Sequence, residues 1–206
     1  MKKYLVLLIV FGLVSCEGKK EIQLPKADIT IIGDVKEHSP IYIFFEVEGK
    51  DTIADVNRKN SIVSTNWIFN IDKRLPLKLV MPELIKLQAK KDKSIHKNEA
   101  AENYFSYAND KKKTLAFLPF ASLKFKLEKP KSGVEIYFTK DDKVLVNKTI
   151  VEKSNLINYL DSLESDKPLK YNFCFDKEAS YDTFIKNAVF INTLEIEMII
   201  SEIYIF

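Results

Sequence analysis

Asp176 and Lys177 close an apolar run, YNFCF, and open a helix-forming stretch, ASYDTFIKNAV. A neighbouring carboxylate and ammonium can in principle share proton-transfer work. The spacing argues for a simpler role. A strand ending in Asp-Lys, with Ser180 where a cap would sit and Tyr181 at the first helical position, is turn and capping chemistry. Asp176 is therefore expected to accept from backbone N–H groups, and Tyr181 to pack beneath the first turn. The other candidates for catalysis are scattered. His38 and His96 lie in separate polar segments with no second ligand at metal spacing, and read as solvated loop residues. No serine occupies a Gly-x-Ser-x-Gly elbow, and the five glycines form no phosphate-cradling loop. Asp141-Asp142 belongs to a hairpin turn. The expectation is no enzyme, no metal and no cofactor.

The N-terminus carries the clearest chemistry. Lys2 and Lys3 precede the apolar run YLVLLIVFGLV, which ends at Val14. That run is well short of the roughly 20 residues of a membrane-crossing helix and has the length of a signal-peptide core. It closes on Leu13-Val14-Ser15-Cys16, which resembles the lipobox of bacterial lipoproteins. The resemblance implies cleavage before Cys16 and acyl chains (diacylglycerol on the thiol, palmitate or a similar chain on the new amine), enough for a stable anchor. Localisation is then the cell envelope: the periplasmic face of the inner or outer membrane, or the cell surface. Removing residues 1–15 takes away Lys2 and Lys3, leaving 30 of the 32 basic residues against 29 acidic ones. Near-neutrality gives no argument for a nucleic-acid partner. Lys111-Lys112-Lys113 reads as a solvated loop. With Cys16 acylated, Cys174 has no disulfide partner and is expected to be a buried small hydrophobe.

Residues 16–26 read as a short polar tether. Residues 27–80 hold strand-like segments around PIYIFFEVEGKDTIADV and NWIFNI, divided by a turn at Glu48-Gly49-Lys50-Asp51. They are expected to form a small antiparallel β domain with Trp67, Phe69, Ile41, Ile43 and Phe45 in its core. Residues 81–113 read as a partly exposed helical connector: PELIKLQAKKDK, then NEAAENYFSYANDKKK, with Ala101, Tyr104, Phe105 and Ala108 at helical spacings. Residues 114–206 read as a third region whose order from Val134 is β-β-α-β-α-β, with Ser154 as N-cap of the helix NLINYLDSLES. No internal repeat is expected.

Residues 123–206 resemble the periplasmic domain of the ExbD/TolR biopolymer transport family. The hairpin FTKDDKVLVN, the helix entered near Ser154, and DKEASYDTFIK with Asp176, Lys177 and Tyr181 carry the likeness. It implies an α+β fold, a homodimer through residues 130–206, and contact with peptidoglycan or envelope partners. The family's transmembrane helix with its acidic residue has no counterpart here, so its ion-coupling role does not transfer. Two functional expectations follow. One is a lipid-anchored interaction protein, accessory to a TonB- or Tol-type complex or contacting an outer-membrane protein. The other is a ligand-binding lipoprotein with a glycan, peptide or small molecule held near Tyr42, Phe44 and Trp67.

Overall fold

The structure, a computed structural model, describes residues 20–57, 59, 61–120, 122–165, 168–194 and 200–206. Cys16 and the apolar run before it lie outside these. The chain is a mixed α/β protein with two six-stranded sheets. In chain order come β1 (Lys26–Ala27), β2 (His38–Glu48), β3 (Asp51–Asn57), β4 (Asn66–Ile71), α1 (Leu77–Asp92), β5 (Asn103–Asn109) and β6 (Thr114–Pro119). Then follow β7 (Lys124–Lys126), β8 (Val134–Phe138), β9 (Val144–Val146), β10 (Thr149–Val151), a 3₁₀ turn, α2 (Leu156–Asp161), β11 (Tyr171–Phe175), α3 (Tyr181–Thr193) and β12 (Glu202–Ile205). Among the described residues, no helix is long and apolar enough to cross a membrane.

The two sheets share one topology, although no internal repeat is evident in the sequence. The first has the order β3-β2-β4-β5, with β1 and β6 added on β5. The second has β9-β8-β11-β12, with β10 and β7 on its two edges. Each unit is an antiparallel hairpin followed by a parallel strand–helix–strand passage. By strand order and sequence, Phe69-Asn70-Ile71-Asp72-Lys73 corresponds to Phe173-Cys174-Phe175-Asp176-Lys177. The helices agree position by position. Leu77, Val80, Met81, Leu84 and Leu87 of α1 are buried, as are their counterparts Tyr181, Phe184, Ile185, Ala188 and Ile191 of α3. An apolar stripe at helical spacing was thus written twice, with different residues each time.

Several expectations change. The first sheet is not antiparallel: β2, β4 and β5 run parallel, because α1 is the crossover between β4 and β5. So α1 is partly exposed, as expected, but it is the crossover of the first sheet rather than a connector, and its Leu84 and Leu87 belong to the core. It begins at Leu77, with Pro82 inside it rather than at its start. Residues 103–109 form a strand, not a helix. Asn103, Phe105, Tyr107 and Asn109 are buried at period two, a reading that competed with the helical spacing. Ser154 sits within the 3₁₀ turn, and α2 starts at Leu156 after Asn155 with no side-chain cap. The hairpin turn at Glu48 to Asp51 forms as expected, with Gly49 at φ +63.

One continuous core joins the units. Phe105 of β5 stacks on Phe120 at 3.7 Å and meets Tyr181 and Phe184 of α3 edge-on at 5.9 and 5.8 Å. Phe184 in turn packs on Phe175 of the second sheet at 4.9 Å. Helix α3 is therefore covered by both sheets, and the chain is layered sheet, helices, sheet. Because two strands, β11 and β12, stand between β7 and β8, residues 127–133 must cross the outer face of the second sheet. Gly133 ends that crossing at φ +101, where a Cβ would stand 2.5 Å from the Lys170 carbonyl oxygen and 2.7 Å from Asn172 Nδ2.

Gly133→Ala is therefore expected to cost about 2 kcal/mol or more, combining strain with a backbone clash. Gly49→Ala, where nothing lies within 4 Å, should cost only about 1 kcal/mol. Urea midpoints of the two variants check the order; equal losses would contradict the crossing geometry.

Candidate functional site

The two Asp-Lys turns meet, and their meeting organises the molecule. Leu77 N–H donates to the Ala179 carbonyl (2.9 Å) and Tyr181 N–H donates to the Leu75 carbonyl (2.8 Å). Lys78 N–H donates to the Lys177 carbonyl (2.9 Å) and Asp182 N–H donates to the Lys73 carbonyl (3.1 Å). These are reciprocal pairs between equivalent positions, a local two-fold centred on the bridge Pro76–Ser180. The first N–H groups of both helices lack intrahelical partners, and each helix start is satisfied by the other unit's turn.

Within each turn the aspartate does the same work. Asp176 Oδ1 accepts from the Glu178 N–H at 2.8 Å, and Asp72 Oδ1 accepts from the Arg74 N–H at 3.0 Å. Ser180 caps α3, its Oγ accepting from Thr183 N–H at 3.1 Å. Tyr181 is fully buried under the first turn. The Asp176-Lys177 pair is thus a structural hinge, as its spacing predicts. Asp72 carries more. Its carboxylate is fully buried and bound bidentately by Arg74, Nε to Oδ1 and Nη2 to Oδ2, each 2.8 Å. Burial alone raises the Asp72 carboxyl, but hydrogen bonds from Arg74 and the backbone outweigh it and hold the group below its ordinary range.

The N-terminal segment docks on this junction. Gln23 N–H donates to Asp72 Oδ2 (3.1 Å), and Lys73 N–H donates to the Gln23 carbonyl (2.8 Å). Ala108 N–H donates to the Pro25 carbonyl (2.9 Å), and β1 then pairs in parallel with β5. Upstream, Lys20 forms ion pairs with Glu46 and Asp55 on the β2–β3 hairpin, at 2.7 Å to Asp55. Within the stretch read as a short polar tether, Lys20, Gln23, Pro25 and Lys26 are held on the body.

The remaining candidates are separated. His38 opens β2 with Nδ1 2.7 Å from the Val35 carbonyl, and His96 is exposed in the loop after α1. Asp142 accepts from Lys153 and from Asn187 Nδ2, fastening the β8–β9 turn to α3. Cys174 is buried, its thiol pushed up to about 12 by burial. Among the described residues, no cluster of His, Cys, Asp or Glu is arranged to hold a metal. The aromatic cleft does not form. Trp67 is buried on the inner face, with Nε1–H donating to the Ile62 carbonyl at 2.7 Å, while Tyr42 and Phe44 stack on the outer face.

Two features were not anticipated. One is an apolar cavity of about 290 Å³ on the flank of α3, lined by Phe105, Leu123, Phe173, Ala188, Ile191 and Ile203 among others. Ala188, one of its lining residues, stands at the position that Leu84 takes in α1. The other is Lys91, only 2 % exposed at the end of α1. Its ammonium donates to the Glu102 carbonyl (3.1 Å) and Asn103 Oδ1 (2.9 Å) and lies 5.0 Å from the Trp67 ring centroid. Burial lowers its pKa to about 8.

No family model, no curated protein and no solved structure matches the chain. The likeness to ExbD/TolR rests on the residues that suggested it.

Lys91 makes stability depend on pH in a definite direction. Between about pH 8 and the ordinary lysine value of 10.5 the unfolded chain holds the Lys91 proton and the folded one does not, so the Lys91 contribution to stability rises with pH across that window. Above about pH 9 the buried Cys174 thiol acts in the opposite direction, because it keeps its proton in the folded chain only. Urea midpoints measured from pH 7.5 to 9 should climb, and Lys91→Met should flatten the climb. An unchanged slope in the variant would assign the effect elsewhere.

Proposed function

We propose that this protein is a lipid-anchored, non-enzymatic interaction protein of the cell envelope, accessory to a TonB- or Tol-type energised complex and without an ion-conducting role. The observation that carries the reading is the lipobox-like Leu13-Val14-Ser15-Cys16, placed just before a body whose two units share one hydrophobic core. The body's conspicuous polar residues, Asp72, Asp176, Asp142 and Ser180, are spent on turns, caps and ion pairs. In this reading the acyl chains on Cys16 are the membrane partner, and the second unit, with its ExbD/TolR-like helix entry, meets the protein partner. Residues 130–206 were expected to self-associate, and a homodimer remains part of the proposal. A second copy would have to use a surface other than the helix-entry turn, which the first unit covers. A second reading, a ligand-binding lipoprotein, is favoured by the apolar cavity beside Ala188 rather than by the aromatic strands.

The test is in-cell crosslinking of the tagged, lipidated protein with identification of the linked partners. Motor subunits or TonB-like proteins linked to residues beyond 130 are the expected outcome. Recovery of an outer-membrane receptor alone, linked through the first unit, would overturn the motor role and leave the ligand reading.

A further inference from the structure

We propose that in the lipidated protein the outer face of the β2–β3 hairpin is held against the bilayer, with the second sheet turned away from it. The inference rests on the lipidation of Cys16 and adds an orientation to it. The N-terminal segment acts as a short leash, because from Lys20 onward it is held on the body at several points. Gln23 is bound at Asp72 and Lys73, Pro25 at Ala108, and Lys26 at Asp110 and Asp182. The first residue held on the body is Lys20, which lies between Glu46 and Asp55 with its ammonium 5.8 Å from the Phe44 ring centroid.

Only four peptide links separate Cys16 from Lys20. Fully extended, they span at most about 14 Å. The acylated cysteine sits at the water–lipid boundary, so the surface around Lys20 cannot stand farther from that boundary than this. Phe44 and Asp55 are register partners, which puts Lys20 on the outer face of the first sheet. The hairpin continues beyond β4, since β2 pairs with β4 only from His38 to Ile43. The projecting residues are therefore the part of the body nearest the anchor. Lys131, in the crossing over the second sheet's outer face, is on the other side of the layered body. A sheet-to-sheet separation with helices between is roughly 20 Å, so the two faces differ clearly in their access to solvent. The hairpin bears Glu46, Glu48, Asp51 and Asp55 against Lys20 and Lys50, so its approach is imposed by the leash and not by attraction to anionic lipid. The lysines of the outward face, Lys126, Lys129, Lys131 and Lys170, around a recess of about 220 Å³, are then left facing the envelope space.

The experiment uses the full lipidated chain in phosphatidylcholine vesicles, with a single added cysteine at Lys50→Cys or Lys131→Cys and a bulky polyethylene-glycol maleimide as probe. Cys174 is buried and should stay silent. The mass of the N-terminal peptide is taken first; an unacylated Cys16 would overturn both the anchor and the orientation. With acylation present, the Lys50→Cys site should react several-fold more slowly on vesicles than in detergent, while Lys131→Cys reacts equally in both. Equal rates at both sites on acylated protein would overturn the orientation alone. Inserting about ten Gly/Ser residues between 19 and 20 adds roughly 17 Å of reach and should restore labelling at Lys50→Cys. Failure to restore it would also count against the leash.

Discussion

Everything in this molecule depends on how two helix starts are satisfied. A helix leaves its first N–H groups without internal partners, and a helix start buried in a core cannot turn to water for them. Here the two starts face each other, and each supplies the other's missing acceptors through the carbonyls of its Asp-Lys turn. The arrangement fixes where the two sheets stand. It brings Phe105, Tyr181 and Phe184 into one aromatic core and places the Asp72 carboxylate where the N-terminal segment can bind it. An interface built of backbone hydrogen bonds also tolerates divergence of side chains. Leu75 and Pro76 in one unit correspond to Ala179 and Ser180 in the other with the same pattern of bonds.

The units differ where function would be expected to act. The first has a hairpin that continues to Glu48 and Asp51, whereas the second turns soon after Phe138. The first receives the N-terminal segment on β5 through β1, and the second ends with β7 alongside β12. Ala188, at the position matching Leu84, lines a cavity on the flank of α3. The N-terminal segment is thus fastened to the first unit, and the recess of lysines on the outer face lies on the second.

Local chemistry was legible in the sequence and long-range pairing was not. The Asp176 turn, the Ser180 cap, the buried Cys174 and the inward Trp67, Phe69, Ile41 and Ile43 follow from neighbours within a few residues. The parallel pairing of β2 with β4 and of β4 with β5 depends on partners tens of residues apart, and a short alternating strand looks the same in either orientation. Residues 103–109 illustrate the ambiguity, since Tyr104, Phe105 and Ala108 fit a helical stripe while Phe105 and Tyr107 fit a strand. The repeat left a faint trace: of Trp67 to Val80 against Tyr171 to Phe184, only Phe, Asp and Lys are identical. The signal was the recurrence of apolar strand and Asp-Lys, with the helix beginning five positions after the aspartate, at Leu77 and Tyr181. The docking of Gln23 on Asp72 had no local signature at all.

The claim that the helix-entry junction makes two units one cooperative body can be tested with probes the chain already carries. Trp67, its only tryptophan, is buried in the first unit, and Cys174 is buried in the second. In a Cys16→Ser form, urea unfolding followed by Trp67 fluorescence and by pulsed thiol labelling of Cys174 should give coincident transitions. Two separated midpoints, with one probe released while the other stays protected, would contradict the account.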